Sequence, residues 1–187
     1  MRKLVLLMHA SIDGFVAGPK GEMNWIKVDD ELFDFVGGLT DQADTAVYGR
    51  VTYQLMESYW PTAADKPNAS KHDIDHARWY KSVSKIVISS SLKGKDAGKT
   101  RILSSHIPEQ IQELKGQPGK NILMLGSPTA SHYATQKHLI DEYWIFLNPV
   151  FIGAGIPLFK NTYEAINLKL ITTKVFSSGV IGLHYTK

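Results

Sequence analysis

Residues 123–129 read LMLGSPT, a short apolar strand pattern that stops at a glycine and continues directly into a helix start. Residues 46–52 read AVYGRVT and repeat this arrangement of buried strand, glycine turn and helix. A helix that begins straight after a strand presents free backbone N–H groups and the positive end of its dipole, which suit a phosphate. Glycine lets the backbone approach such a ligand closely. Two such corners predict an α/β protein that holds a dinucleotide pyrophosphate between them.

Either corner taken singly is better explained as an ordinary strand-to-helix turn with an N-cap, which every α/β protein needs. Neither corner matches the glycine fingerprint of the Rossmann fold, so that fold is not indicated. The side chains in both corners nevertheless suit an anion, because guanidinium and hydroxyl groups donate hydrogen bonds to phosphate oxygens. These donors are Arg50, Thr52, Ser127 and Thr129.

Outside the corners, short apolar segments alternate with helical patterns, which is typical of a sheet with crossover helices. Strands are predicted over 4–9, 45–48, 85–89, 121–125 and 142–151, and loops over 61–70 and 93–101. Helices are predicted over 30–39, 73–83 and 108–114, and from each corner to about residues 59 and 138. Residues 168–185 predict two further strands joined around Ser177-Ser178-Gly179, a hairpin signal.

The composition limits the class of protein. The 187 residues are 43% hydrophobic and 21% charged, so a single globular domain over 1–187 is expected. The absence of cysteine excludes disulfides and cysteine-rich zinc sites, and the net charge of +3 gives little support for nucleic-acid binding. No apolar run approaches the roughly 18 residues that cross a bilayer, and residues 1–8 are interpreted as a first strand. We therefore expect a cytoplasmic protein with a small-molecule partner, without nucleic acid or membrane.

Motifs distributed over nearly the full length occur in an order and spacing that are jointly specific. They are ASIDG at 10–14, Trp25, GRVTY at 49–53, ISS at 88–90, GS at 126–127, LIDE at 139–142 and PVFIGAGIPLF at 149–159. With these motifs the chain resembles the dihydrofolate reductase superfamily. Within that superfamily it is most similar to the branch that contains the reductase domain of the bifunctional riboflavin-biosynthesis deaminase/reductase.

The resemblance implies a three-layer α/β fold in which helices cover both faces of a mostly parallel sheet and an antiparallel hairpin ends the chain. It also implies a homodimer and an NADPH cofactor lying across the strand ends. Lys93 and Lys95 are further candidates for the 2′-phosphate, although a solvated loop explains them better. The cofactor-binding residues that the resemblance implies are Gly49, Arg50, Thr52, Ser89, Ser90, Gly126, Ser127 and Thr129.

Two departures from the family pattern concern backbone geometry. The family usually has Gly-Gly where this chain has Gly126-Ser127, so the close backbone approach at the second corner is in question. The family often has glycine where this chain has His138, which changes the expected end of the helix. Neither change removes a phosphate donor.

Two acids are candidate catalytic residues. Asp30 follows Trp25 at a helix start, where a dihydrofolate reductase-like site has the carboxylate that pairs with the N–H edge of a pyrimidine or pteridine. Helix N-terminal charge explains Asp30 equally well, and Asp29 and Glu31 compete for the role. Asp13 lies in a segment that lines the site in the riboflavin branch, although Asp-Gly is also a common turn pair. Trp25 is a candidate substrate-binding residue, with core packing as the alternative.

The leading hypothesis is a stand-alone NADPH-dependent reductase, resembling 5-amino-6-(5-phosphoribosylamino)uracil reductase of riboflavin biosynthesis or acting on a related pyrimidine or pterin. One alternative is a non-catalytic nucleotide-binding module of the same fold, and another is a reductase of an unrelated small carbonyl or imine. His72 and His76 are one helical turn apart, but a solvated helix start explains them better than metal ligation. No metal site is expected.

Overall fold

The computed structural model describes residues 1–160 and 164–187. The helices are α1 Asp30–Asp41, α2 Arg50–Ala63, α3 Lys71–Ser82, α4 Ile107–Gly116 and α5 Pro128–Gln136. The first five strands are β1 Leu4–Ser11, β2 Phe15–Ala17, β3 Ala43–Gly49, β4 Ser84–Ile88 and β5 Thr100–Leu103. The others are β6 Asn121–Leu125, β7 Glu142–Asn148, β8 Ile156–Pro157, β9 Lys169–Val175 and β10 Ile181–Thr186.

Eight strands form one sheet in the order β5-β4-β3-β6-β1-β7-β10-β9, and β2 pairs with β8 in a small second sheet. The pairs from β5 to β7 are parallel. β10 pairs antiparallel with both β7 and β9. A mostly parallel sheet with an antiparallel C-terminal hairpin confirms the predicted architecture.

Side chains of β1 alternate between two cores because successive residues of a strand point to opposite faces. Leu4, Leu6 and Met8 belong to the cluster that also contains residues of α4 and α5. Val5 and Leu7 belong to the cluster that contains residues of α1 and α3. The sheet is therefore covered by helices on both faces, as predicted.

Two predicted loops overlap elements of the structure, because the local sequence of each is typical of a loop. The predicted loop 93–101 overlaps β5, a short edge strand whose Arg101 is exposed, and charge on an edge strand is a normal protection against aggregation. The predicted loop 61–70 overlaps the end of α2, which includes Pro61 in its last turn. A proline so close to the helix end removes one hydrogen bond without ending the helix earlier.

Two further bounds were too long. β7 ends at Asn148 rather than residue 151, because Pro149 follows and the Val150 amide turns back to the Asn148 carbonyl at 2.8 Å. α5 ends at Gln136, and His138 adopts φ 53°, the left-handed conformation that glycine adopts most readily. His138 therefore forms the helix end that the family often builds with glycine.

Candidate active site

A cleft of about 660 Å³ lies at the carboxyl ends of β3, β4, β5 and β6, where ligands bind in open α/β sheets. Seven of the eight predicted cofactor-binding residues line this cleft: Gly49, Arg50, Thr52, Ser89, Ser90, Ser127 and Thr129. Gly126, the eighth, lies beside them, since a Cβ at Gly126 would be 3.9 Å from Thr52 Cγ2. The structure therefore brings the two corners together.

Three of the described helices begin at the cleft without a side-chain cap: α2 and α5, which belong to the predicted corners, and α4, whose Ile107 is in the lining. α2 begins at Arg50 and α5 at Pro128, and within the described ranges neither helix has a side-chain cap. By contrast, Asp29 caps α1 and Ser70 caps α3, and neither of these residues lines the cleft. The first amides of an α-helix have no intrahelical acceptor, so α2 and α5 present donors and positive dipole ends to the same space.

Ser127 joins the two corners. Its buried hydroxyl accepts a hydrogen bond from the Gly49 amide at 3.0 Å and donates to the Leu125 carbonyl at 3.1 Å. Gly126 and Ser127 have φ of 56° and 63°, so a non-glycine residue occupies the left-handed region at the second corner. The Gly49 amide is thus engaged within the protein, whereas the amides that follow it in the first turn of α2 have no intrahelical acceptor.

The two roles of Ser127 predict different effects for two substitutions. Ser127→Ala keeps the unfavourable φ and leaves the Gly49 amide unpaired, so we expect a loss of about 1–3 kcal/mol in the free energy of unfolding. Ser127→Gly loses the same bond but removes a left-handed strain of roughly 1–2 kcal/mol, so its stability should stay near that of the wild type. Urea unfolding of both variants measures the difference, and equal losses would contradict the assigned strain.

The predicted polar and charged residues around the corners differ in burial and position. Ser89 is buried, and its Oγ accepts a hydrogen bond from the Leu92 amide at 3.2 Å, whereas Ser90 is exposed. Arg50 is exposed and its Nη1 donates to Gln54 Oε1 at 3.0 Å, one turn along α2. Lys93 and Lys95 are exposed and lie outside the cleft lining. Among the described residues that line the cleft, Arg50 is therefore the one cation.

Part of the lining was not found from the sequence. Polar Ser91, Ser104 and Tyr133 contribute to it. Its apolar part is formed by Val51, Ile88, Leu103, Ile107, Pro128, Ala130 and Ile156. β5, whose end contributes Leu103, was not predicted, and the predicted loop 93–101 covers its first two residues. A strand pattern at 100–103 was the one signal that would have indicated it.

Asp13 connects the turn after β1 to the segment at Ile152 and Gly153 through hydrogen bonds. Its carboxylate accepts hydrogen bonds from the Gly153 amide at 2.7 Å and the Ile152 amide at 3.2 Å. Ser11 and these two amides hold the pKa of the Asp13 carboxyl below its ordinary value. An ionised carboxylate already bound to amides is suited to positioning the loop, and the predicted catalytic role of Asp13 stays a prediction.

Asp29 is engaged at the start of α1. Its Oδ1 accepts from the Leu32 amide at 2.8 Å, and its Oδ2 accepts from Ser177 Oγ and from the Ser178 amide. The Leu32 amide, with Ser178 and Ser177, lowers the pKa of Asp29 to about 2. Asp29 thus caps α1 and anchors the turn of the C-terminal hairpin.

Asp30 differs from its neighbours. Glu31 forms an ion pair with Lys174 at 2.9 Å and accepts from the Ser177 amide, so it too anchors the hairpin. Asp30 is exposed, and no residue in the described ranges forms a hydrogen bond or ion pair with its carboxylate. Of the three competing acids, Asp30 is the one without an internal partner in the described ranges; it lies outside the cleft lining, and its predicted catalytic role stays a prediction.

Trp25 lies in the segment that leads to α1, outside the lining of the cleft. It is half-buried, and its indole N–H donates to the Glu22 carbonyl at 3.1 Å. This bond shapes the segment locally, and the substrate-binding role of Trp25 stays a prediction.

The pair His72 and His76 belongs to an aromatic cluster away from the cleft. His72 stacks on Phe33 with ring centroids 3.7 Å apart, and His76 lies 4.0 Å from the Trp60 ring. Burial lowers the pKa of His76 to about 4, which keeps this ring neutral at physiological pH. Packing therefore accounts for both histidines.

Comparison with known proteins identifies the family. The RibD C-terminal domain matches residues 2–181. The chain belongs to this family. A relative of this chain, the uncharacterized protein YyaP of Bacillus subtilis, is 32% identical to it over 98% of this chain and 94% of the length of YyaP. No helix within the described residues is long and apolar enough to cross a membrane.

Solved structures show the fold that goes with the RibD C-terminal domain. A pyrimidine reductase-like protein from Corynebacterium diphtheriae superimposes with a TM-score of 0.68 at 16% identity, over 99% of this chain and 91% of that protein. Dihydrofolate reductase from Enterococcus faecalis, in a complex with NADP(H), gives a TM-score of 0.64 at 13% identity, over 98% and 95%. The chain therefore has the dihydrofolate reductase-like fold.

Proposed function

We propose that this member of the RibD C-terminal domain family is an NADPH-dependent reductase. Its substrate would be a pyrimidine or pterin, as for 5-amino-6-(5-phosphoribosylamino)uracil reductase. The observation that carries the proposal is the convergence of two uncapped helix starts, α2 and α5, on one cleft where Ser127 ties the corners together. Membership of the family supports the substrate class.

The residues of the cleft fit a dinucleotide phosphate. The amides of Arg50, Val51 and Thr52 would meet phosphate oxygens from one side, and those of Thr129 and Ala130 from the other. The Arg50 guanidinium and the hydroxyls of Thr52, Ser89, Ser90 and Thr129 would hold the phosphates and the ribose. The apolar lining residues suit the flat rings at either end, since ligand sites combine apolar walls with a few placed polar groups.

On the substrate side, Asp30 would accept two hydrogen bonds from the N–H edge of the ring and so fix its orientation. Asp13 would keep the loop at Ile152 and Gly153 in place, and Trp25 would close over the ligand. Bound NADPH supplies the hydride. The contribution of the protein is then orientation and exclusion of water.

Arg50 gives the sharpest test of cofactor binding. We expect Arg50→Ala to weaken NADPH binding by roughly 10- to 100-fold, because a charge-assisted bond to phosphate contributes about 1.5–3 kcal/mol. Arg78→Ala is the matched control, since Arg78 is an exposed arginine on α3 that does not line the cleft. Quenching of the four tryptophans measures both affinities. Equal affinity for the two variants, or no binding by the wild type, would contradict the proposal.

Turnover separates the proposed reductase from its alternatives. NADPH oxidation should be followed with dihydrofolate and with 5-amino-6-(5-phosphoribosylamino)uracil. Tight NADPH binding without turnover of either compound would favour a nucleotide-binding module or a reductase of another carbonyl or imine. The proposal includes a homodimer in the cytoplasm, and light scattering of the purified protein tests the first of these.

A further inference from the structure

His9 is an exception within the central strand β1. Every other residue of β1 is buried, but His9 is only partly so; at His9 the strand still pairs with Phe146 of β7, whereas its pairing with β6 has ended at Leu7 and Leu125. The ring stacks on Phe146 with centroids 5.1 Å apart, on the sheet face that also carries α1. His9 therefore lies where β1 extends past the carboxyl end of β6, and part of its side chain is left uncovered there.

The orientation of the neighbouring Asn148 is fixed by backbone groups. Its Oδ1 must be the oxygen, because the Lys27 amide donates to it at 2.8 Å. Its Nδ2 must be the nitrogen, because it faces the carbonyls of Phe146 at 3.0 Å and Ala10 at 3.4 Å. Asn148 is fully buried, so no water competes for these bonds. An exchange of its oxygen and nitrogen would place like groups against each other at each of these three backbone contacts.

The orientation of Asn148 determines which nitrogen of His9 carries the proton. Asn148 Nδ2 lies 3.2 Å from His9 Nδ1 and can only donate, so Nδ1 accepts and the proton resides on Nε2. Burial lowers the pKa of His9 to about 4, and the ring is neutral at physiological pH. Within the described ranges no residue accepts a hydrogen bond from Nε2.

His9 also lies close to the cofactor corner. The Gly126 amide donates to the Leu7 carbonyl at 3.0 Å, two residues before His9 on β1. Asp13 follows the end of β1 by two residues, whereas α1 begins only after β2 and residues 18–29. The imidazole therefore lies towards the carboxyl end of β1, near the corner proposed for the cofactor and four residues before Asp13.

We propose that His9 is a specificity-determining residue whose neutral Nε2–H donates a hydrogen bond to a carbonyl oxygen of the ring substrate. Asn148 is the positioning residue that fixes the donor. This inference rests on the proposed reductase function and names one substrate contact within it. A ring with a lactam carbonyl at this point is accepted, whereas a ring with an N–H or amino group there would leave two donors facing each other, which binding sites reject.

The proton position is tested without any substrate. Nitrogen-15 NMR of the imidazoles, with His9→Phe to assign the signal, should show the Nε2–H tautomer at pH 7 and no protonation of His9 until the pH falls to about 4. A proton on Nδ1, or titration near the ordinary value of about 6.5, would overturn the inference whatever the protein reduces.

The substrate contact is tested with two variants. His9→Phe keeps a flat ring on Phe146 without a donor, and His9→Gln keeps an N–H donor of similar reach. With 5-amino-6-(5-phosphoribosylamino)uracil we expect His9→Phe to lose roughly 10- to 100-fold in kcat/KM and His9→Gln to recover most of it. NADPH affinity should stay within about 2-fold of the wild type in both variants, since His9 is not among the residues proposed to hold the cofactor.

The outcomes separate the two proposals. Unchanged kcat/KM in His9→Phe, or equal losses in both variants, overturns the role of His9 and leaves the reductase proposal standing. Absence of NADPH binding and turnover in the wild type contradicts the reductase proposal, and the tautomer of His9 is then decided by the NMR measurement alone.

Discussion

Replacing Asp141 with asparagine is expected to lower the free energy of unfolding by about 3 kcal/mol. Lys115 is only 1% exposed, and its Nζ lies 2.6 Å from Asp141 Oδ2 and donates to the Leu139 carbonyl. Loss of the carboxylate charge would leave a buried ammonium without a counter-charge. The value lies at the low end for buried pairs because the Asp141 side chain is 34% exposed and partly screened by water.

A double-mutant cycle isolates the pair. Lys115→Met removes the ammonium, and the double variant Lys115→Met/Asp141→Asn should recover part of the loss because no buried charge remains. Asp75→Asn is a control on an exposed ion pair with Arg78, where a change within about 0.5 kcal/mol is expected. Urea unfolding measures all four variants. Additive losses in the double variant would show that the charges do not depend on each other.

The ion pair between Lys115 and Asp141 gives the LIDE motif at 139–142 a structural role that is independent of catalysis. Asp141 precedes β7 and accepts from the Leu4 amide at the start of β1, so it lies at the amino ends of the strands. The cleft lies at their carboxyl ends. The variants at Asp141 should therefore lose stability while folded protein keeps its NADPH affinity, which a direct role of this motif in the site would not allow.

Local patterns explain which parts of the fold were predictable. β6 was predicted with its observed bounds because a short apolar run ends at Gly126, and both signals lie within a few residues. The small sheet of β2 and β8 was not predicted, since strands of three and two residues carry no periodicity. Burial of Lys115 was also not predicted, because its partners lie more than twenty residues away and lysine is normally a surface residue.

The residues of the candidate site likewise divide into those that a local sequence pattern predicts and those that depend on distant contacts. The two corners were predictable because a strand, a glycine and a helix start are adjacent in sequence. The hydroxyl of Ser127 that joins the corners bridges 78 residues, so no local pattern contains it. The acids near α1 could not be distinguished by sequence because their roles depend on the hairpin at Ser177, which lies 148 residues from Asp29.

Gly155 is expected to tolerate no side chain, because its backbone presses against β2. A Cβ at Gly155 would lie 2.0 Å from the Ala17 carbonyl oxygen, a backbone atom that cannot rotate away. We expect Gly155→Ala to cost about 3 kcal/mol, the upper end of overpacking effects, and to lower the unfolding midpoint by roughly 6–12 °C. Thermal unfolding measures this change.

Gly155→Ala should also affect the candidate site, because β8 and the residue after it contact several parts of that site. Ile156 of β8 lines the cleft, His132 on α5 lies within hydrogen-bond distance of the next two carbonyls, and the Leu158 amide donates to the Gly14 carbonyl. Displacing β8 would therefore disturb α5 and the Asp13 turn together, and NADPH affinity should fall with stability. Gly153→Ala is the matched control, since its Cβ would meet open space and only its φ of 77° is unfavourable, a cost of roughly 1–2 kcal/mol. A Gly155→Ala protein as stable as Gly153→Ala would mean that the close approach to Ala17 costs no more than the strained φ of the control, which would contradict this prediction.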